Sequence, residues 1–183
     1  MIHFDSLGAL ALHLIESTAA EVEAVHVGMD KATALLQREM KGEFGHYQSA
    51  AGPFPAWAEL AESTKEERAR LGYPDDEPLL REGDLRDSIE REVHNLDGIN
   101  SEGIVGSTSE IMPFHEFGTS KMPPRPVVGA ALYRNAEKVA ELIGAYAVQG
   151  LVGFDAGGSG DFAARDIEGM EGIHPSLGYD INP

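Results

Sequence analysis

The sequence predicts an α+β fold: a long N-terminal amphipathic helix and a C-terminal helix packed on a small antiparallel sheet, with an extended C-terminal tail. Three observations predict it. Val25, Met29, Ala32, Leu36 and Met40 recur at three- and four-residue steps. Ile89 and Val93 alternate with charged neighbours ahead of the short run Gly103-Ile104-Val105-Gly106. A second helical spacing follows at Val128, Ala131, Leu132, Val139, Leu142, Ile143 and Tyr146.

In chain order, Asp5-Ser6 supplies a cap for a short helix through Leu14, and Ser17-Thr18 with Glu21 three residues after Thr18 predicts a second start. The long helix from Val22 keeps Glu23, Asp30, Lys31, Gln37 and Arg38 mostly off its apolar stripe, and Gly42 and Gly45 end it. Gly28 lies inside that stripe at a cost of about 1 kcal/mol against alanine, which predicts a kink or a close packing contact. Residues 45–55 form a loop leading to Trp57. Residues 59–71 favour helix by composition until two prolines in 72–78 break it, and Leu79 and Leu80 anchor the chain again. Asp97-Gly98 is the turn of an antiparallel hairpin. The last helix ends before Gly150. Residues 1–149 therefore read as one α+β domain. Residues 150–183, rich in Gly and Asp with scattered apolar side chains, read as an extension that docks on partner subunits.

The 183 residues suffice for one domain with a real core. There is no apolar run of about 18 residues to span a bilayer and no pattern of an export signal. The absence of cysteine excludes disulfides and thiolate metal sites and suits assembly in a reducing cytoplasm. The net charge of −17, from 31 acidic and 14 basic residues, disfavours tight nucleic-acid binding, because phosphate recognition needs clustered Lys and Arg. Two roles for the charge stay open. A negative lumen would let DNA slide through a conduit, or the charge keeps the subunit soluble before assembly.

The stretch from Pro113 to Pro126 carries the most information. Phe114 and Phe117 flank His115-Glu116 and belong in the core or at an interface, Gly118 lets the backbone turn back, and Met122-Pro123-Pro124-Arg125-Pro126 cannot be helical. A stiff extended arm is the expectation, with Pro126 in the first turn of the last helix. His115-Glu116 is not a zinc-protease motif, since Thr119 stands where the second histidine is needed. His3, His13, His26, His46, His94 and His174 lack ligand spacing and read as surface or loop residues. The glycine group from Gly153 to Gly160 has no lysine after it and reads as a hinge, and Ser159 lacks a nucleophile-elbow frame. Asp75-Asp76 and Asp84 with Asp87 are the carboxylate pairs that a cation or acid–base chemistry would use. No catalytic residue, cofactor or metal is expected.

The words His115-Glu116-Phe117-Gly118-Thr119 and Met122-Pro123-Pro124-Arg125-Pro126 resemble the tail-completion and head–tail joining proteins (neck, tail terminator) of tailed bacteriophages. Trp57-Ala58-Glu59-Leu60, the segment Leu79 to Ile89, and Val105-Gly106-Ser107 resemble that family's other landmarks in order, although Glu82 precedes Gly83 where relatives often carry a small hydroxyl residue. The resemblance spans about two thirds of the chain. It implies a structural virion protein, assembled in the bacterial host cytoplasm, that forms a ring, a hexamer by family resemblance, to terminate the tail tube and join the head connector or stopper protein. The major tail-tube protein would be its other neighbour, and DNA would pass through the lumen without specific binding. The residues expected at subunit or partner contacts are Phe114, His115, Phe117, Lys121, Met122, Arg125 and Phe154, with Arg125 pairing a neighbour's carboxylate. Rival readings are a minor tail or baseplate component and a small intracellular metal-dependent enzyme.

Overall fold

A computed structural model describes residues 6–96 and 100–151. Helix α1 (Leu7–Gly42) is one continuous helix of 36 residues. It opens at Ser6, whose Oγ accepts the Ala9 N–H at 3.0 Å. The expected second start at Ser17-Thr18 is corrected: both residues lie inside α1. No proline interrupts residues 7–42, and a Ser-Thr pair does not stop a helix whose flanks are rich in Leu and Ala. The remaining elements are α2 (Glu62–Arg70), α3 (Asp84–Asp87), β1 (Ile89–Asn95), β2 (Ser101–Ser107), α4 (Met112–Phe117) and α5 (Val128–Leu151).

β1 and β2 pair antiparallel as expected, with Ile89 opposite Ser107, Arg91 opposite Val105 and Val93 opposite Gly103. Their expected turn at Asp97-Gly98 lies outside the described residues. Because strand side chains alternate, these pairs share one face, and that face lies on α1. Gln37 Nε2 donates to the Ile89 carbonyl at 2.9 Å, and Arg91 pairs with Asp30 at 2.5 Å. A Cβ on Gly103 would stand 2.6 Å from the Thr33 methyl group, so glycine lets β2 lie against the helix. Gly83 turns the chain with φ 101 and leads into the single helical turn α3. The Asp87 and Ser88 N–H groups donate back to the Gly83 and Asp84 carbonyls at 2.8 and 2.9 Å, which delays the strand to Ile89.

α5 runs antiparallel to α1. Gly28 faces Ile143 and Tyr146, and Gly150 faces Ala20, Glu21 and Ala24. The helix passes through Gly150 instead of ending before it, because that glycine is a contact: a Cβ there would lie 2.6 Å from Glu21 Cα. Where the two helices meet the loops, Leu36, Met40 and Phe44 of the α1 end join Trp57, Ile89, Met112, Val127 and Ala131 in the core. Leu79, Leu80 and Leu85 pack on it half-buried, and Trp57 Nε1 donates to the Pro126 carbonyl at 3.1 Å. Among the described residues no helix is long and apolar enough to cross a membrane.

Candidate functional site

The segment from α4 to the start of α5 folds back on the body as a strap. Three backbone hydrogen bonds shape it: Thr119 and Met122 exchange N–H and carbonyl groups at 2.9 and 3.3 Å, and the Arg125 N–H donates to the His115 carbonyl at 2.7 Å. Gly118 turns the chain with φ 73, and a Cβ there would meet Pro124 N at 2.8 Å and the Met122 carbonyl at 2.9 Å. The sequence expectation of a turn-making glycine holds.

Glu116 closes the strap. Its Oε2 accepts the N–H groups of Val127 (2.8 Å) and Val128 (3.0 Å), and its Oε1 accepts that of Gly129 (2.8 Å). One carboxylate thus occupies donors at the start of α5 that the helix itself cannot pair, at the positive end of its dipole. The Val127 carbonyl accepts the Ala131 N–H at 3.0 Å, which places Val127 as the cap and Pro126 just outside the helix. The expectation that Pro126 sits in the first turn is corrected on that ground. Sequence spacing did not reveal this cap, because Glu116 precedes the helix by far more than the three residues of a capping box.

Arg125 lies inside the protein, 5% exposed. Its Nη2 donates to the Ala58 and Glu59 carbonyls at 2.9 and 3.2 Å, and its Nε to Ala58 at 3.3 Å. Burial lowers the guanidinium below its ordinary pKa. The arginine fastens the strap to the segment after Trp57: it is buried, and its Nε and Nη2 donate to main-chain carbonyls of its own chain, where the expectation had it presented to a neighbour's carboxylate. His115 is half-buried beside it, and its Nδ1 is buried with no hydrogen-bond partner among the described residues. Burial first, then the Arg125 charge, depress its pKa below the ordinary imidazole value. Met122 is half-buried and Lys121 exposed. Phe154 lies outside the described residues, as does the group Gly153 to Gly160.

α4 has two faces. Met112 is buried, and His115 and Glu116 turn inward. Ile111, Phe114 and Phe117, spaced three apart, form the outer stripe, with Phe114 54% and Phe117 81% exposed. Beneath the strap lies an open cleft of ≈ 740 Å³, lined by Leu71, Leu79, Leu85, Met122, Arg68 and His115 among others. Sequence analysis did not single out Arg68. It braces the proline-broken loop by donating to the Glu77 carbonyl at 2.6 Å and that of Pro74 at 3.2 Å.

One member of each carboxylate pair makes structural contacts. Asp76 accepts the Tyr47 hydroxyl at 2.5 Å and pairs with Lys65 at 2.9 Å, while Asp87 pairs with Arg86 at 2.9 Å. Both carboxyls are held below their ordinary pKa, Asp76 by Tyr47 and Lys65, Asp87 by Arg86. His13 and His26 lie half-buried on α1, and the His26 ring meets the Ser101 hydroxyl at 3.2 Å. Among the described residues no group of three or more His, Asp or Glu is placed to hold a metal ion.

A second buried acid was not foreseen. Glu43, just past α1, pairs with Arg134 of α5 through Oε1, while its Oε2 is buried with no partner among the described residues. Burial, with Glu116 and Glu39 nearby, pushes its pKa up to about 7 against the opposing effect of Arg134. No protein-family model, curated protein or solved structure matches the chain.

Proposed function

We propose that this chain is a structural subunit of a phage neck, which closes into a ring, terminates the tail tube and joins it to the head connector around the DNA channel. The observation that carries the reading is the outward stripe of Ile111, Phe114 and Phe117. It stands on a backbone that Glu116, Gly118 and Arg125 hold in one shape. Large exposed apolar surface on a rigid element marks an interaction site, and aromatic side chains lose little entropy when they are covered. A ring needs such surfaces in heterologous, head-to-tail contact.

The motif resemblance supplies the particle. Its landmarks fall on the parts that build the strap: Trp57 receives Pro126, Ala58 and Glu59 receive Arg125, and Glu116 caps α5. The acidic balance fits a lumen through which DNA slides without being gripped. Antibody labelling and electron microscopy of particles from a phage carrying this gene test the reading. The expected outcome is label at the head–tail junction, with separate heads and tails when the gene is deleted. Label at the distal tail tip, or joined particles without the gene, overturns it.

A further inference from the structure

α1 extends well beyond the helix that packs against it. Its 36 residues run about 54 Å, whereas the 24 residues of α5 run about 36 Å. The last close approach of α5, at Gly150, reaches Ala20 and Glu21. Among the described residues, residues 7–19 therefore extend roughly 20 Å past α5. On this overhang Leu7 is 84%, Leu12 61% and Ile15 66% exposed. At about 100° per residue Leu7, Ile15 and Leu12 fall in that order within about 140° of arc, one broad apolar side. Such a side is normally covered, and a helical segment so short gains little stability by itself in water.

The overhang and the α4 stripe stand at opposite ends of the molecule. Glu116 caps the start of α5, which lies beside the Met40–Phe44 end of α1, roughly 37 Å along the axis from Ile15. Both surfaces are poor in charge within a chain of net charge −17, most of whose faces repel another copy. Glu16 is the one carboxylate on residues 7–19, and it is exposed; Lys121 is the exposed cation on the strap. Exposed Glu110 also stands beside Ile111 at the edge of the stripe, so Glu16 and Lys121 offer one pair of opposite charge between the two ends.

We infer that the α1 overhang of one copy seats on the Ile111–Phe114–Phe117 stripe of the next, so that association is head-to-tail. This rests on the reading that copies of the chain form a ring, and it names the two halves of that contact. Surfaces at opposite ends that bind each other propagate from copy to copy, and close only if the rotation per step returns to the start.

Complementation between two full-length variants tests it. One variant carries Leu12→Ser and Ile15→Ser; the other carries Phe114→Ser and Phe117→Ser. All four side chains are exposed, and unchanged circular dichroism and melting profiles establish that each variant folds. By sedimentation velocity, each alone is expected to be monomeric at concentrations where the wild type associates, a weakening of about ten-fold or more. Their mixture is expected to give a one-to-one heterodimer and nothing larger, because each brings one intact end. A variant that still associates alone overturns the inference, as it would if residues 152–183 covered the overhang. A mixture that stays monomeric also overturns it. If the wild type itself never associates, the ring reading falls with it, whereas association in the wild type without complementation removes this inference alone. Should Leu12→Ser/Ile15→Ser unfold the end of α1, Glu16→Lys/Leu12→Gln serves as the second overhang variant, with the same two outcomes.

Discussion

Glu116 Oε2 stands 2.8 Å from the backbone nitrogen of Val127, so a residue of one helix serves as the cap of the next. With Val128 and Gly129 also held, the carboxylate ties both ends of the strap to a single point. Replacing Glu116 by alanine strands three donors at a partly buried helix start and is expected to cost about 1–3 kcal/mol. That corresponds to a fall of roughly 3–8 °C in melting temperature. Glu116→Gln keeps one acceptor but turns an amide toward the remaining N–H, so it should fall between. Thermal unfolding followed by circular dichroism measures both.

Arg125 is the other fastening. Its removal leaves the Ala58 and Glu59 carbonyls short of donors and opens a void beside Trp57. Arg125→Ala is expected to destabilise by on the order of 3 kcal/mol, and Arg125→Lys by less, since a single ammonium reaches fewer carbonyls. Urea titrations give the two values. An equal loss in both variants would show that packing, and not the fork of donors, holds the strap.

Gly28 tests the contact between the long helices. Alanine there would gain about 1 kcal/mol of helix propensity, but its Cβ would meet Tyr146 Cβ at 2.9 Å, an atom that cannot swing away. Overpacking of this kind costs about 1–3 kcal/mol, so Gly28→Ala should be net destabilising. Gly144 on α5 has nothing within 4 Å of the same atom. Gly144→Ala should therefore stabilise by up to about 1 kcal/mol, and opposite shifts in the midpoint of unfolding check the pair.

Glu43 gives the protein a pH dependence of known sign. Its pKa rises from the model-compound 4.5 to about 7 on folding, so the folded state binds the proton more tightly than the unfolded chain. Stability from this group is fully present below about pH 4.5 and is lost as pH rises through about 7. The total is on the order of 3 kcal/mol. Relative to Glu43→Gln, the wild type should lose stability between pH 5 and about 8, with the two curves parallel at either extreme. Unfolding midpoints across that range decide it, and a constant offset would place the carboxyl's pKa near its solvent value.

Most of the architecture was legible because it rests on periodicity. The Val25 to Met40 stripe, the Ile89 and Val93 alternation and the Val128 to Tyr146 spacing each became the expected element. Two of the misplaced boundaries come from local signals that tertiary contact overrode. Ser17-Thr18 carried the pattern of a cap while sitting in a run that favours helix, and Gly150 carried the pattern of a stop while serving as the seat for Glu21. The site was legible only in part. Proline and Gly118 announced the strap, but nothing in spacing says that Glu116 caps a helix more than ten residues on, or that Arg125 points inward to Ala58. Both depend on contacts between segments remote in sequence. Glu43 escaped for the same reason, since its burial comes from packing against α5.

Charge reversal at Arg125 would remove fold and assembly together, which leaves the exposed aromatics as the place to separate them. The most direct measurement of the central claim is native mass spectrometry of the purified full-length chain across a range of concentrations, beside Phe114→Ser/Phe117→Ser. The account predicts one closed oligomer for the wild type, six copies if the motif resemblance holds for stoichiometry, and a folded monomer for the variant. A wild type that remains monomeric throughout, or a variant that forms the same ring, would contradict it.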